Sequence, residues 1–216
     1  MSAPYLGILM LDTRFPRPVG DVGHRGSWQM PVVYATVPGA SPRRVVQPGD
    51  PALLQPFIEA ACGLVDRGAA AITTSCGFLV RYQAALQAAL PVPVWTSALL
   101  ALPLLDRPGV VTVDGDALGA AHLLAAGADP TTPLEGLAPG CSLQRTLLQD
   151  LPTLDTCAAE ADVVAAARRL VQREPTIANL VLECTNMPPY AAAVQRATGR
   201  PVHHLMTLVH ERWKSR

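Results

Sequence analysis

The chain has 216 residues, half of them hydrophobic and 16% charged, which is typical of a compact protein with a large buried core. Its 17 acidic and 17 basic residues cancel, and this balance argues against a nucleic acid or a membrane surface as the partner. The apolar run 82–105 is broken by prolines, and the first residues have no signal-peptide pattern, so we expect a cytoplasmic protein.

The predicted elements alternate between strands and helices along most of the chain. Short apolar runs predict buried strands at 5–11, 31–37, 70–75, 92–96, 109–113, 177–183 and 200–204. Amphipathic or alanine-rich stretches predict helices at 50–68, 77–90, 97–105, 115–127, 159–174, 187–198 and from 205 to Trp213. Asp50 and Pro51 are typical of a helix start. Two stretches rich in Gly and Pro predict long loops at 12–27 and 129–155, the second with one short helix.

Two stretches of the chain repeat one pattern. Residues 70–94 read AAITTSCGFLVRYQAALQAALPVPV, and residues 179–202 read NLVLECTNMPPYAAAVQRATGRPV. When Cys76 is aligned with Cys184, eight of nineteen positions are identical without a gap, among them a tyrosine, a glutamine and a proline. The similarity of two strand–helix–strand units is either accidental or the trace of an internal duplication.

The duplication is our prediction, and it implies an α/β fold of two pseudosymmetric lobes with mainly parallel sheets. Residues 1–96 with 205–216 would form the first lobe, which carries Cys76. Residues 97–204 would form the second lobe, which carries Cys184.

Each aligned cysteine stands between a strand and the following helix. Ligands of open α/β sheets bind beyond the carboxyl ends of the strands, so we expect both sulfurs at one crevice between the lobes. Unpaired N–H groups at a helix start favour an anion and lower the pKa of a cysteine. One thiolate would remove a proton from carbon while the opposite thiol delivers one, which inverts that carbon. The five cysteines and five histidines form no zinc pattern, so we expect no metal.

These residues resemble the aspartate/glutamate racemase superfamily, through GILMLDT near the start, TTSCGF at about one third of the chain and LECTN near the end. The resemblance covers nearly the whole chain. It implies two pseudosymmetric α/β domains, an active site in the crevice between them, no cofactor, a small-molecule carboxylate as substrate and a homodimer, as in many members. The implied activity is that of an amino-acid racemase or epimerase independent of pyridoxal phosphate, an isomerase acting on aspartate, glutamate or a related carboxylate.

The resemblance also assigns site residues. Cys76 and Cys184 would be the two acid–base groups, each serving one enantiomer as base. Backbone N–H and hydroxyl groups near the cysteines would hold the substrate carboxylate, as anions bind at helix N-termini. The substrate-binding residues would be Asp12, Thr13, Ser75, Gly77, Phe78, Thr185 and Asn186.

The chain departs from the pattern of glutamate racemases in two places, one after each cysteine. Gly77 and Phe78 stand where those enzymes usually have Asn-Thr, and Asn186 stands where they have a histidine near the second cysteine. Asn cannot titrate, which weakens the assignment to glutamate itself. The related hydantoin racemases, maleate isomerases and arylmalonate decarboxylases leave two alternatives open. One is a cysteine-dependent isomerase or decarboxylase/lyase acting on a dicarboxylic acid, and the other is a ligand-binding protein that has lost turnover.

The loop after the first strand carries several basic residues: Arg14, Arg17, His24 and Arg25. Two interpretations remain open at this point. The loop binds a second carboxylate of the substrate, or it is a solvated charged surface.

Overall fold

The computed structural model describes residues 4–46 and 50–215, and these contain two four-stranded sheets. The first sheet consists of β1 (Tyr5–Leu11), β2 (Val32–Val37), β3 (Ala69–Thr74) and β4 (Val94–Trp95), in the spatial order β2-β1-β3-β4. The second consists of β5 (Pro108–Thr112), β6 (Leu134–Gly136), β7 (Asn179–Leu182) and β8 (Val202–His204), in the order β6-β5-β7-β8. All neighbouring strands are parallel, and both sheets have the same internal order. The predicted α/β class is confirmed.

Helices cover both sheets. The α-helices in the described residues are α1 (Pro42–Val46), α2 (Leu54–Asp66), α3 (Gln83–Ala89), α4 (Ala120–Ala125), α5 (Ser142–Leu148), α6 (Thr156–Arg173), α7 (Ala191–Thr198) and α8 (Leu205–Lys214). None of the helices in these residues is long and apolar enough to cross a membrane.

One glycine in each lobe lets a helix or loop pack closely on a central strand. A Cβ on Gly7 of β1 would lie 2.6 Å from the Ile72 side chain and 3.0 Å from that of Leu64 on α2. In the second lobe, a Cβ on Gly109 of β5 would lie 2.5 Å from the side chain of Ile177. A larger residue at either position would push apart fully packed layers, because protein interiors leave no spare volume.

The elements differ from the sequence prediction mainly where helices begin. The stretches after both aligned cysteines start as 3-10 helices, Gly77–Tyr82 and Pro188–Tyr190, before α3 and α7. The predicted helix at 97–105 is also a 3-10 helix, Ala98–Leu104, and the one at 115–127 begins only at Ala120. Asp50 caps as predicted, since its side chain accepts from the Ala52 N–H at 3.0 Å.

Two short elements were absent from the prediction. β6 has three half-buried residues in a stretch rich in Pro and Gly, too few for an apolar pattern. Helix α1 starts at a proline in the connection after β2 and has only five residues.

The strands of the first sheet lie within residues 1–96 and those of the second within 97–204. The long connection between β1 and β2, residues 12–31, is called the first-lobe loop below. The terminal helix α8 contacts this loop, where the rings of Trp28 and His210 meet edge to face with their centroids 5.6 Å apart. The exact lobe boundaries stay a prediction, and residues 1–3, 47–49 and 216 lie outside the described residues.

Candidate active site

The two aligned cysteines line one cavity at the carboxyl ends of β3 and β7. Cys76 follows β3 and caps the 3-10 helix Gly77–Tyr82 with extended backbone, φ −153° and ψ 122°. Cys184 comes two residues after the end of β7. Both thiols are free and buried, with 9% of Cys76 and 7% of Cys184 exposed. The repeat therefore places a sulfur from each lobe at the same cavity.

The cavity is small and mostly apolar. Its volume is about 30 Å³, room for about one or two water molecules. A substrate with a carboxylate and several carbons needs more space, so its binding requires the walls to move outward. The wall consists of Leu11, Phe15, Pro42, Val46, Ser75, Cys76, Gly77, Phe78, Val113, Leu147, Leu148, Glu183, Cys184, Thr185 and Asn186.

Hydrogen bonds tie the two lobes together beside the cysteines. The Thr185 hydroxyl donates to the Ser75 carbonyl at 2.5 Å. The Ser75 hydroxyl in turn accepts from the Leu11 N–H at 2.9 Å. The structure brings Ser75 and Thr185 to the cavity as predicted from the resemblance, but their hydroxyls already have protein partners. Their predicted contact with a substrate stays a prediction.

Asp12 and Thr13 do not belong to the cavity wall. Asp12 is exposed, and its carboxylate accepts from the Gly39 N–H at 3.1 Å, in the turn after β2. The Thr13 hydroxyl accepts from Arg17 at 3.0 Å. Their substrate-binding roles stay predictions that would require the loop to move.

Burial decides the protonation of the two thiols. It raises the pKa of Cys76 to about 12, with a further increase from Glu183, while the N–H groups of Phe78 and Leu79 act in the opposite direction. Burial likewise raises the pKa of Cys184 well above its usual value. The sequence predicts that the helix starts lower both pKa values, and that prediction is wrong in net direction. The N–H groups are present, but desolvation outweighs them.

Glu183 is a site residue that the sequence argument overlooked. It is fully buried at the end of β7, between the apolar strand and Cys184. One carboxyl oxygen accepts from the Thr112 hydroxyl at 2.8 Å, and the other, Oε1, has no hydrogen-bond partner among the described residues. Burial raises its pKa to about 7. The sequence does contain a signal for Glu183: an acidic residue ends an apolar strand directly before a candidate catalytic cysteine.

A buried ion pair from the first loop reaches the second cysteine. Arg17 pairs with Asp21 at 3.0 Å, with only 11% and 1% of their side chains exposed. The Asn186 side-chain N–H group donates to Asp21 at 2.6 Å. The Cys184 thiol donates to the Asn186 carbonyl at 3.5 Å. Arg17 is therefore paired and buried rather than solvated.

The other basic residues of this loop have their own partners. Arg14 is 75% exposed at its side chain and bridges to Asp150 of the second lobe at 3.2 Å. Arg25 donates to the Val32 carbonyl at 3.1 Å, and His24 caps a short turn. The loop thus holds the two lobes together as well as approaching the cavity.

Comparison with solved structures identifies the fold. Unliganded arylmalonate decarboxylase superposes with a TM-score of 0.59 at 19% identity, covering 93% of this chain and 86% of the decarboxylase. Glutamate racemase isoform RacE1 from Bacillus anthracis superposes with a TM-score of 0.55 at 15% identity, covering 98% of this chain and 82% of the racemase. No protein-family model matches the chain.

The chain has the fold of the aspartate/glutamate racemase superfamily. The resemblance stated from the sequence is thereby confirmed.

Sequence comparison finds enzymes of a different activity. Dimethylsulfoniopropionate lyase 6 of Emiliania huxleyi (strain CCMP1516) is 31% identical in an alignment of 229 residues, gaps included, that covers 94% of this chain. The aligned region is 57% of that lyase, so this chain spans a little over half the length of the relative. The relatives named by sequence and by structure are enzymes, and those found by sequence are named as lyases rather than isomerases.

Both departures from the racemase pattern have a structural reason. A Cβ at Gly77 would collide with the Glu183 carboxyl oxygen and lie 2.5 Å from the Glu183 backbone oxygen, so the buried acid requires glycine there. Asn186, in place of the racemase histidine, bridges Cys184 and Asp21. A neutral residue with one donor group and one acceptor group suits that position between a thiol and a carboxylate.

Proposed function

We propose that the protein is a cysteine-dependent lyase acting on a small carboxylate with a leaving group at the β-carbon, with dimethylsulfoniopropionate as the first candidate. The observation that carries the proposal is the similarity to dimethylsulfoniopropionate lyase over 94% of this chain. The two buried cysteines at one mostly apolar cavity support it, because they place a candidate base in an apolar wall.

In the proposed reaction, a thiolate removes the proton next to the carboxylate. The electron pair of that C–H bond forms the new C=C bond, and the C–S bond breaks with its electrons leaving on sulfur. The products are acrylate and neutral dimethyl sulfide, and the proton stays on the cysteine until solvent takes it. One base is sufficient, and the leaving group needs no proton.

Cys76 is the better base of the pair. Burial and the charge of Glu183 disfavour the thiolate of both cysteines. The N–H groups of Phe78 and Leu79 and the charge of Arg17 favour the thiolate of Cys76. For Cys184, the backbone N–H group of Asn186 favours the thiolate, whereas Cys76 and Asp21 disfavour it. A sulfonium substrate brings its own positive charge into the cavity, which offsets the burial that keeps Cys76 protonated.

The apolar wall suits the methyl groups of a sulfonium. Phe15 and Phe78 contribute aromatic rings to the cavity, and aromatic faces attract desolvated cations. The ring of Phe15 already contacts a cation, because the Arg17 guanidinium lies 4.6 Å from its centroid. We propose that Phe78, which is 2% exposed, supplies the wall for the methyl groups.

The test is to incubate the purified chain with dimethylsulfoniopropionate and measure dimethyl sulfide by headspace gas chromatography and acrylate by NMR. Cys76→Ser should lower the rate by at least about 100-fold, in the range of a lost general base. Cys157→Ser is the matched control, since Cys157 is exposed on α6. Equimolar release of both products that depends on Cys76 would support the proposal, and release that survives Cys76→Ser would contradict it.

Racemisation of an amino acid is the second candidate, supported by the presence of a cysteine from each lobe at one cavity. It predicts α-proton exchange in D2O with inversion of aspartate or glutamate, lost in both Cys76→Ser and Cys184→Ser. Decarboxylation or isomerisation of a dicarboxylic acid would instead show as loss of CO2 or a new diacid in the same NMR assay. Saturable binding without turnover of any of these compounds would indicate a ligand-binding protein. The homodimer remains a proposal, to be tested by light scattering.

A further inference from the structure

The two cysteines have equivalent places in the repeat but different polar neighbours. Cys184 donates to the side-chain carbonyl of Asn186, and no equivalent residue faces Cys76, because the position two residues after Cys76 is Phe78. The first-lobe loop between β1 and β2 adds to this difference, because its Asp21 accepts a hydrogen bond from the Asn186 side chain beside Cys184.

That loop is seated firmly on the second lobe. The Val22 N–H donates to the Thr185 carbonyl at 3.3 Å, next to Cys184. Gly20 has φ +101°, and a Cβ there would lie 2.9 Å from the Pro189 backbone, so the loop touches the turn that follows Cys184. Between these two contacts, the Asp21 side chain is 1% exposed.

The partners of Asp21 determine which way the Asn186 amide points. Asp21 accepts from Arg17 at 3.0 Å and from the Gly23 N–H at 2.6 Å. A carboxylate can only accept, so Asn186 must present its NH2 group to Asp21. The amide carbonyl then faces the opposite way, toward the Cys184 sulfur.

We propose that Asp21 is a positioning residue, which orients the Asn186 amide so that its carbonyl accepts a hydrogen bond from Cys184 and keeps that cysteine a thiol. The Arg17 guanidinium pairs with the Asp21 carboxylate. A carboxylate only accepts hydrogen bonds, so it excludes the flipped amide, in which Asn186 would turn its carbonyl toward Asp21. The inference deepens the proposed function and rests on it: if Cys184 remains protonated, Cys76 is the single base that an elimination requires.

The flipped amide gives the proposal its measurable consequence. In Asp21→Asn, the new side chain can donate to the Asn186 carbonyl, which frees the Asn186 NH2 group to turn toward Cys184. An N–H donor stabilises a thiolate, where the carbonyl had stabilised the thiol. Cys184 should therefore become more reactive, although the substitution removes a buried interaction.

The experiment measures alkylation of each cysteine by iodoacetamide from pH 6 to 10, with peptide mass spectrometry resolving the sites. The exposed Cys157 is the internal reference for reagent activity. In Asp21→Asn, Cys184 should react about tenfold faster at pH 8, and its pH profile should move to lower pH. Asn186→Ala, which removes the hydrogen-bond acceptor of Cys184 but keeps Asp21, should also raise the alkylation rate of Cys184.

Asp150→Asn is the matched control. It removes the carboxylate charge that holds the same loop at another point, where Asp150 pairs with the Arg14 side chain and accepts from the Arg14 and Phe15 N–H groups at 2.6 and 3.2 Å. Loosening the loop in this way should change the access of the reagent to Cys76 and Cys184 together and leave their ratio unchanged. The exchanged pair Asp21→Asn with Asn186→Asp places a carboxylate acceptor beside Cys184 and should return its reactivity toward that of the native protein.

The outcomes distinguish positioning by Asp21 from a loosened loop and from the charge of Asp21 acting alone. Equal acceleration of both active-site cysteines in Asp21→Asn would indicate a loosened loop and overturn the proposal. Acceleration in Asp21→Asn but not in Asn186→Ala would indicate a charge effect and overturn it as well. If Asp21→Asn fails to fold, Asn186→Ala decides alone, since it leaves the Arg17–Asp21 pair in place.

The assay uses no substrate, so its result is independent of the proposed lyase activity. A chain that releases no dimethyl sulfide and still shows the selective change at Cys184 would keep the positioning role and lose the proposed substrate. A chain that releases dimethyl sulfide but shows no selective change at Cys184 would keep the activity and lose the role of Asp21.

Discussion

Glu183→Gln should make the protein more stable at neutral and alkaline pH. The Glu183 side chain is fully buried, and its Oε1 atom has no partner among the described residues. Burial therefore raises its pKa from 4.5 to about 7. Glutamine keeps the shape of the side chain and the oxygen that accepts from Thr112, and it removes the ionisation.

The magnitude follows from the two pKa values. The interval from 4.5 to about 7, at ~1.4 kcal/mol per pH unit, amounts to about 3 kcal/mol. Because the folded protein binds the proton more tightly, this stabilising contribution is complete below pH 4.5 and is lost as the pH rises through 7. Between pH 5 and 8, the stability difference between the variant and the native protein should grow by about 2 kcal/mol in favour of the variant.

Urea denaturation followed by tryptophan fluorescence at pH 5, 6, 7 and 8 gives the two curves to be compared. Glu135→Gln is the control: burial of Glu135 raises its pKa, but Arg169 and Arg173 outweigh it and hold that pKa below its usual value. Stability that depends on such a lowered pKa changes only below the ordinary pKa of Glu, so this control should show no growing difference above pH 5.

Thiol alkylation provides a second measurement on Glu183→Gln. The charge of Glu183 raises the pKa of both cysteines of the cavity, so its removal should speed the alkylation of Cys76 and Cys184 above pH 7. Stability curves that stay parallel from pH 5 to 8, with unchanged alkylation rates, would refute the reasoning. They would mean that Glu183 does not change its ionisation in this range.

Two further predictions concern packing around the site. Gly77→Ala should lower the free energy of unfolding by about 1–3 kcal/mol, because the added Cβ overlaps Glu183. Gly119→Ala, whose Cβ would meet nothing within 4 Å, is its control, and equal melting temperatures of the two variants would contradict the prediction. Tyr82→Phe should lose about 1 kcal/mol, because that hydroxyl donates to a backbone carbonyl at 2.7 Å. Tyr190→Phe at the equivalent position should lose nothing or gain stability, since its buried hydroxyl has no partner in the described residues, and equal losses in urea denaturation would show that the two hydroxyls do not differ.

The residues of the site that come directly after a strand in the chain were predictable from the sequence. Alignment of Cys76 with Cys184 depends only on local order, and both cysteines lie where that order placed them, beside Ser75, Gly77 and Thr185. Chain order also predicts a parallel sheet, because successive strands separated by helices cannot pair as hairpins.

The parts that depend on how the lobes meet were not predictable. Asp21 and Asn186 are 165 positions apart, and their contact exists only once the first-lobe loop lies on the second lobe. The net direction of the pKa shift of the two thiols was not predictable either, because a sequence shows where a helix starts but not how deeply a side chain is buried. For Cys76, the depth of burial is the larger effect.

The asymmetry between the cysteines bears on which chemistry the fold performs here. A racemase that serves both enantiomers needs two cysteines that exchange the roles of acid and base, so each must be able to lose its proton. In this chain the loop brings Arg17 into the field of Cys76, whereas Cys184 has Asp21 nearby and a carbonyl acceptor from Asn186. These contacts favour one thiolate and one thiol in fixed places. An elimination is compatible with that division, because it uses one base and returns no proton to carbon. Under the proposed function, the two-lobed scaffold would suit a lyase because a single loop makes its two halves electrostatically different.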